Sequence, residues 1–159
     1  MLHLRRATRE DAPTILRFIR ELAEYEREPE AVVATEADLV RDGFGDRPLF
    51  HVILAEWAGE PAGFAFYFFQ YSTWTGSPVL YLEDLYVTPA QRKRGIGVAL
   101  MRALARAAVD AGCKRFQWAV LDWNAPAIAF YEALGARLLP DWRTVRVDGA
   151  AIAALAATP

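Results

Sequence analysis

A basic turn with two glycines, lying between an apolar run and an amphipathic stretch, constrains this chain more than any other feature. Residues 79–87 read Val-Leu-Tyr-Leu-Glu-Asp-Leu-Tyr-Val, the pattern of a strand. Gln91-Arg92-Lys93-Arg94-Gly95-Ile96-Gly97-Val98 follows. Ile96, Leu100, Leu104, Ala107 and Ala111 then recur at helical spacing until Gly112. A strand that turns into a helix in this way aims several main-chain N–H groups outward at the positive end of the helix dipole. Three cationic side chains stand beside them. Glycine permits close backbone approach and positive φ, so the turn suits a pyrophosphate.

Three anion-binding templates compete for it. A P-loop needs Lys-Ser/Thr after its last glycine, and Val98-Ala99 stands there. A dinucleotide fingerprint needs a third small residue where Leu100 stands, near the start of a βαβ unit. The pattern Arg/Gln-x-x-Gly-x-Gly/Ala is satisfied by Arg92 to Gly97. The bland alternative is a solvated strand-to-helix connection.

Around this turn the patterning predicts β-α-α-β-β-β-α-β-α-β. The strands fall at 2–6, 51–57, 61–70, 79–87, 116–120 and 142–147. Ala12, Ile15, Leu16, Ile19, Leu22 and Ala23 mark the first helix, after a capping box at Thr8 to Asp11; 35–42 is a short second one with Thr35 as cap. Asn124 caps a later helix with Pro126 in its first turn and Gly135 as its stop. Residues 71–78 read as a loop, and a further helix is possible over 150–157. Phe64, Phe66 and Phe68 share one face of their strand; Ala65, Tyr67 and Phe69 share the other, so both faces are covered. The fold class is α/β in the mixed sense (α+β): one domain, residues 1–159, with a largely antiparallel central sheet flanked by helices.

Composition narrows the function. A net charge of −2 speaks against a general nucleic-acid binder. One cysteine forms no intrachain disulfide and suits a reducing compartment. The start of the chain lacks a signal-peptide core, and 63–69 is too short to span a bilayer. A cytoplasmic protein without membrane or nucleic-acid partners is expected. His3 and His51 are too few and scattered for a metal site, and Cys113 reads as a structural thiol.

The third template is the acyl-CoA pyrophosphate loop of the GNAT N-acetyltransferases, and the chain resembles that family over nearly its full length. It is most similar to the diamine (spermidine/spermine-type) and thialysine acetyltransferase branch. The resemblance rests on Glu21-Leu22-Ala23-Glu24-Tyr25-Glu26, Asp42-Gly43-Phe44-Gly45, Tyr81-Leu82-Glu83-Asp84-Leu85-Tyr86-Val87 and the glycine turn. Trp123-Asn124-Ala125-Pro126 and Phe130-Tyr131-Glu132-Ala133-Leu134-Gly135-Ala136 complete it. It implies the GNAT acyl-CoA fold, with the cofactor-binding core at about 79–136. It implies transfer of an acetyl group from acetyl-CoA to a primary amine of a small molecule, a polyamine, diamine or lysine analogue such as thialysine, by direct attack in a ternary complex. It also implies a homodimer. A protein-lysine or N-terminal acetyltransferase and a non-catalytic acyl-CoA sensor are the alternatives.

The resemblance also distributes roles. Tyr131 is the acid for the departing thiolate; an aromatic packed on the sheet is the other reading. Glu83 takes a proton from the amine through a water, and Asp84 adds to the acidic environment. Simple alternation sends these two neighbours to opposite faces. The main chain of Leu85, Tyr86 and Val87 serves the pantetheine arm. Arg92, Lys93, Arg94, Gly95, Ile96, Gly97 and Val98 hold the pyrophosphate. Asn124, Ala125, Pro126 and Ala127 contact the cofactor from another side, with helix capping an equal reading for Asn124. Tyr25, Glu26, Glu83, Asp84, Gln117, Trp118 and Ala119 line the acceptor site. Arg27, Pro29 and Leu134 depart from the pattern of the relatives.

Overall fold

A computed structural model describes residues 1–159. The chain forms two compact units, Met1–Leu121 and Asp122–Pro159. No helix is long and apolar enough to cross a membrane.

The first unit carries β1 (Leu2–Arg6), α1 (Ala12–Tyr25), α2 (Glu36–Gly43), β2 (His51–Trp57), β3 (Glu60–Ser72), β4 (Ser77–Val87), α3 (Ile96–Asp110) and β5 (Arg115–Trp118). The sheet order is β1-β2-β3-β4-β5. The first three pairings are antiparallel and β4–β5 is parallel, the mixed, largely antiparallel sheet that the sequence predicts. The loop expected over 71–78 is shorter than that. The ladder runs on to Ser72 opposite Ser77, where the Thr75 and Ser77 hydroxyls bond at 2.8 Å and Gly76 supplies a left-handed turn residue.

Local chemistry sets the helix starts. The Thr35 hydroxyl accepts from the Asp38 amide at 3.2 Å, and the Asp38 carboxylate accepts from the Thr35 amide at 2.9 Å, so α2 opens on a capping box. Asp11 accepts from the Thr8 amide at 2.7 Å and also receives both terminal nitrogens of Arg5, whose Nε donates to Glu56. That fork ties the first strand to the start of α1 and to β2.

One sheet face packs on α1. Ile15, Leu16 and Phe18 of α1 join Val52, Leu54, Phe64 and Tyr86 in a single cluster. The Phe18 ring lies 5.5 Å from Phe64 and 5.6 Å from Tyr86. Each fully buried side chain of this size contributes about 1.5–3 kcal/mol. Tyr86 has its hydroxyl at the rim of this core, where it donates to the Glu21 carboxylate at 2.6 Å. The opposite face presents Ala65, Tyr67, Leu80 and Leu82, all buried, and the apolar stripe of α3 buries Ile96, Leu100 and Leu104 completely.

The second unit holds α4 (Ala125–Ala133) and α5 (Ala150–Ala157). The strand expected over 142–147 does not form. Every residue of that stretch is exposed, with Val145 at 89%. Alternation alone gives a strand neither a ladder partner nor a buried face, and an isolated strand is unstable in water.

Gly63 of β3 stands opposite Val87 of β4. A Cβ placed there would stand 2.4 Å from the Tyr86 carbonyl oxygen, an atom of the backbone that cannot step aside. Gly63→Ala is therefore expected to lower stability by about 1–3 kcal/mol, read as a fall in the melting temperature. An unchanged melting temperature would refute this account of the strand contact.

Candidate active site

The glycine turn is built as follows. After Val87 the chain makes a short 3-10 turn over Pro89–Gln91, passes Lys93 at φ 64° and Gly95 at φ 77°, and enters α3. Two left-handed residues reverse the chain within three positions, and the non-glycine one costs about 1–2 kcal/mol. The first helical bond runs from the Ala99 amide to the Gly95 carbonyl at 3.0 Å. The N–H groups of Ile96, Gly97 and Val98 therefore have no acceptor within the helix, and they stand at its positive end. Two of the flanking cations lean on the fold. Arg92 donates from Nε to the Val87 carbonyl at 3.1 Å and places its guanidinium 5.4 Å from the Tyr25 ring centre. Arg94 lies 4.9 Å from the ring centre of Trp57.

β4 changes character at its middle. β5 pairs with it only from Val79 opposite Arg115 to Leu82 opposite Trp118. From Glu83 to Val87 no strand pairs with β4 on that side, while β3 continues on the other up to Val87. The backbone of Leu85, Tyr86 and Val87 thus lies on an open edge that leads to the glycine turn. At the same point the β3–β4 register jumps: Tyr67 faces Leu82 and Phe66 faces Asp84, which leaves Glu83 as an extra residue, a β-bulge.

The bulge overturns the alternation expected for the two carboxylates. Tyr81 lies opposite Phe68, and Asp84 lies opposite Phe66. Phe66 and Phe68 share a face, and Glu83, two residues past Tyr81, falls on that face as well. Glu83 and Asp84 therefore both stand on the α1 side. Burial holds the Asp84 carboxyl far above the usual carboxylate range, at about 7, and the charges of Glu83 and Glu26 add to the effect. Glu26, at the end of α1, is likewise raised, first by burial and then by Glu83. Three carboxylates thus share one half-dry corner, an arrangement that favours a cation.

The remaining acceptor-side residues divide. Tyr25 ends α1 and is 41% exposed. Gln117 pairs with Tyr81 and shares the face of the carboxylates, whereas Trp118 pairs with Leu82 and lies on the opposite face, 4.8 Å from the Phe116 ring. Ala119 follows the end of β5. Phe66, Phe68 and Tyr81 stand beside the carboxylates although the residue pattern assigned them no role. The face of Phe66 and Phe68 was legible from alternation, but which side the carboxylates take depends on the bulge.

In the second unit the Asn124 side chain accepts from the Ala127 amide at 3.3 Å, so the capping reading of Asn124 holds. Ala125, Pro126 and Ala127 form the first turn of α4. Tyr131 lies two turns in, its ring 5.3 Å from that of Phe130, and the helix ends at Leu134 before left-handed Gly135.

The unbonded helix-start amides, the left-handed turn and the open β4 edge fit an extended cofactor carrying a diphosphate. The sequence model of the Acetyltransferase (GNAT) family matches residues 13–136. The thialysine N-epsilon-acetyltransferase of Sus scrofa is 45% identical, with 96% of each chain covered. The human spermidine/spermine N(1)-acetyltransferase-like protein 1 is 43% identical over 84% of this chain and 20% of its own length. Among solved structures, an integron cassette protein from the mobile metagenome of V. cholerae superposes with a TM-score of 0.82 at 28% identity, covering 99% of this chain and 98% of its own. The chain therefore belongs to the GNAT family and is an acetyl-CoA-dependent N-acetyltransferase that transfers an acetyl group to an amine.

Proposed function

We propose that the acceptor is a primary amine of a small molecule, of the lysine-analogue or diamine kind. The observation that carries this reading is the corner of Glu26, Glu83 and Asp84, built by the bulge beside the open edge of β4. The similarity to a thialysine acetyltransferase along almost the whole chain supports it. Acetyl-CoA supplies the thioester whose acetyl group is transferred. Ile96, Gly97 and Val98 offer their amides to its diphosphate, with Arg92, Lys93 and Arg94 beside them. Leu85, Tyr86 and Val87 offer backbone groups to the pantetheine arm, and Asn124 to Ala127 offer the start of α4.

An amine of lysine type has a pKa of about 10.4 and must lose a proton before it attacks. Glu83 and Asp84 receive that proton, directly or through water. Asp84 is the better placed by chemistry, because a carboxylate poised near neutrality both binds and releases a proton at working pH. The Tyr131 hydroxyl gives a proton to the departing sulfur. Steady-state assays with acetyl-CoA across thialysine, lysine, diamines, spermidine and lysine-containing peptides test this reading. Turnover confined to peptides, or absent for every amine, sinks it. Tyr131→Phe should cut kcat about 10²–10⁴-fold while coenzyme A affinity, read by calorimetry, stays within a few-fold.

Asp84 also sets a pH signature. The folded protein keeps its proton up to about pH 7, whereas an unfolded chain releases it near 4, so folding stability falls as pH rises through that window. Deprotonation through about pH 7 should raise kcat/KM. Asp84→Asn is expected to flatten both profiles, in thermal melts from pH 4 to 8 and in kcat/KM from pH 6 to 8. Profiles that keep their wild-type shape would remove Asp84 from this role.

We further infer a homodimer. Leu138, Leu139, Trp142, Val145 and Val147 of the second unit are exposed apolar side chains close together in sequence, and a partner would remove them from water. Light scattering at micromolar concentration should give twice the chain mass; a monomer mass refutes the inference.

A further inference from the structure

The apolar packing of α1 stops short of the acidic corner. Ile15, Leu16 and Phe18 are buried, Ile19 and Leu22 pack partly buried against the same cluster, and no later residue of α1 joins it. Glu26 follows the helix by one residue and is the member of the corner that does not belong to β4. Its charge acts on Asp84, and the charge of Glu83 acts on it. Like charges repel. The last turn of α1 is therefore pushed away from β4 at the point where the helix has least packing to resist.

Two side chains from the far side hold it in place. The Tyr86 hydroxyl reaches across from β4 and donates to the Glu21 carboxylate at 2.6 Å. Burial, and then the bond to Glu21, push that hydroxyl up to about 12, so it stays a donor at working pH. Arg92, fixed to the Val87 carbonyl, places its guanidinium 5.4 Å from the Tyr25 ring centre. Glu21 and Tyr25 are four residues apart and share one face of α1. The backbone completes the arrangement. The Arg27 amide donates to the Glu24 carbonyl at 3.1 Å and the Glu28 amide to the Ala23 carbonyl at 2.9 Å, with Arg27 at φ 65°. This is a Schellman closure made without glycine, and it fixes where the chain leaves the helix at Glu26.

We propose that Tyr86 and Glu21 are positioning residues of the acceptor site: their bond holds the last turn of α1 toward β4 and so keeps the Glu26 carboxylate beside Glu83 and Asp84. The proposal rests on the reading of the acidic corner as the place that receives the acceptor's ammonium. The bond acts through Glu26 and needs no contact with the amine. The strand with the open edge thereby also sets the opposite wall of the amine site. The Tyr86 ring is held separately, 5.6 Å from Phe18 within the core cluster. Tyr86→Phe therefore removes the tether and leaves the packing.

The experiment measures kcat and KM for thialysine and 1,4-diaminobutane, and coenzyme A affinity by calorimetry, in the full-length protein and its variants. Tyr86→Phe should raise the amine KM about three- to tenfold, with kcat and coenzyme A affinity each within about twofold. Glu21→Ala should do the same. Glu21→Gln, whose amide oxygen still accepts the bond, should recover most of the loss. In a Glu26→Gln background, Tyr86→Phe should change KM by less than about twofold, because the group it positions is gone. The Glu21 side chain is 33% exposed, so its variants carry the test should Tyr86→Phe fail to fold in circular dichroism melts. An unchanged KM in Tyr86→Phe and Glu21→Ala, or an effect that survives in full beside Glu26→Gln, overturns the proposal. A rise in KM matched by an equal loss of coenzyme A affinity overturns it as well, since Tyr86 would then serve the cofactor. If Glu26→Gln alone leaves KM unchanged, or neither amine turns over, the acceptor-site reading itself falls.

Discussion

One extra residue in β4 decides which face of the sheet carries its two carboxylates. The bulge at Glu83 falls where β4–β5 pairing ends. Without the bulge the two carboxylates would go to opposite faces, and continued pairing with β5 would leave β4 no free edge. Instead the strand keeps β3 on one side, opens on the other, and turns both acids toward α1. The bulge makes the acidic corner, the end of β5 at Trp118 makes the open edge, and the two lie side by side in β4.

The surroundings hold that irregularity in place. Tyr86, two residues past Asp84, anchors β4 to α1 through Phe18 and through its hydroxyl bond to Glu21. Gly63 lets β3 come close enough to keep the last rungs of the ladder. The electrostatic cost of the corner is offset by this packing. Three acids near one another in a half-dry place repel, and the molecule lowers the repulsion by letting Asp84 keep its proton until about pH 7. Stability is surrendered at this corner, as it commonly is where a fold holds groups for another purpose than its own packing.

Much of this was legible in the residues. The glycine turn announced itself because Gly95 and the apolar spacing of α3 are local signals that need no tertiary context. Thr35 and Asn124 likewise advertise helix starts through their own side chains. The bulge did not, since Leu82-Glu83-Asp84-Leu85 contains no glycine or proline to mark a break in register. Its position is fixed by how β3 and β5 meet β4, which is long-range information. The strand expected at 142–147 failed for the complementary reason: composition allowed it, but a strand exists only where a neighbour accepts its hydrogen bonds.

Arg92 illustrates pre-organisation. Its guanidinium is already gripped by the Val87 carbonyl and rests against the Tyr25 ring. A free arginine loses roughly 0.5–1.5 kcal/mol of rotamer freedom on being immobilised at an interface, and here much of that loss occurs during folding. An anion arriving at the start of α3 meets a charge that is already in position, and the same side chain mechanically joins the glycine turn to the end of α1.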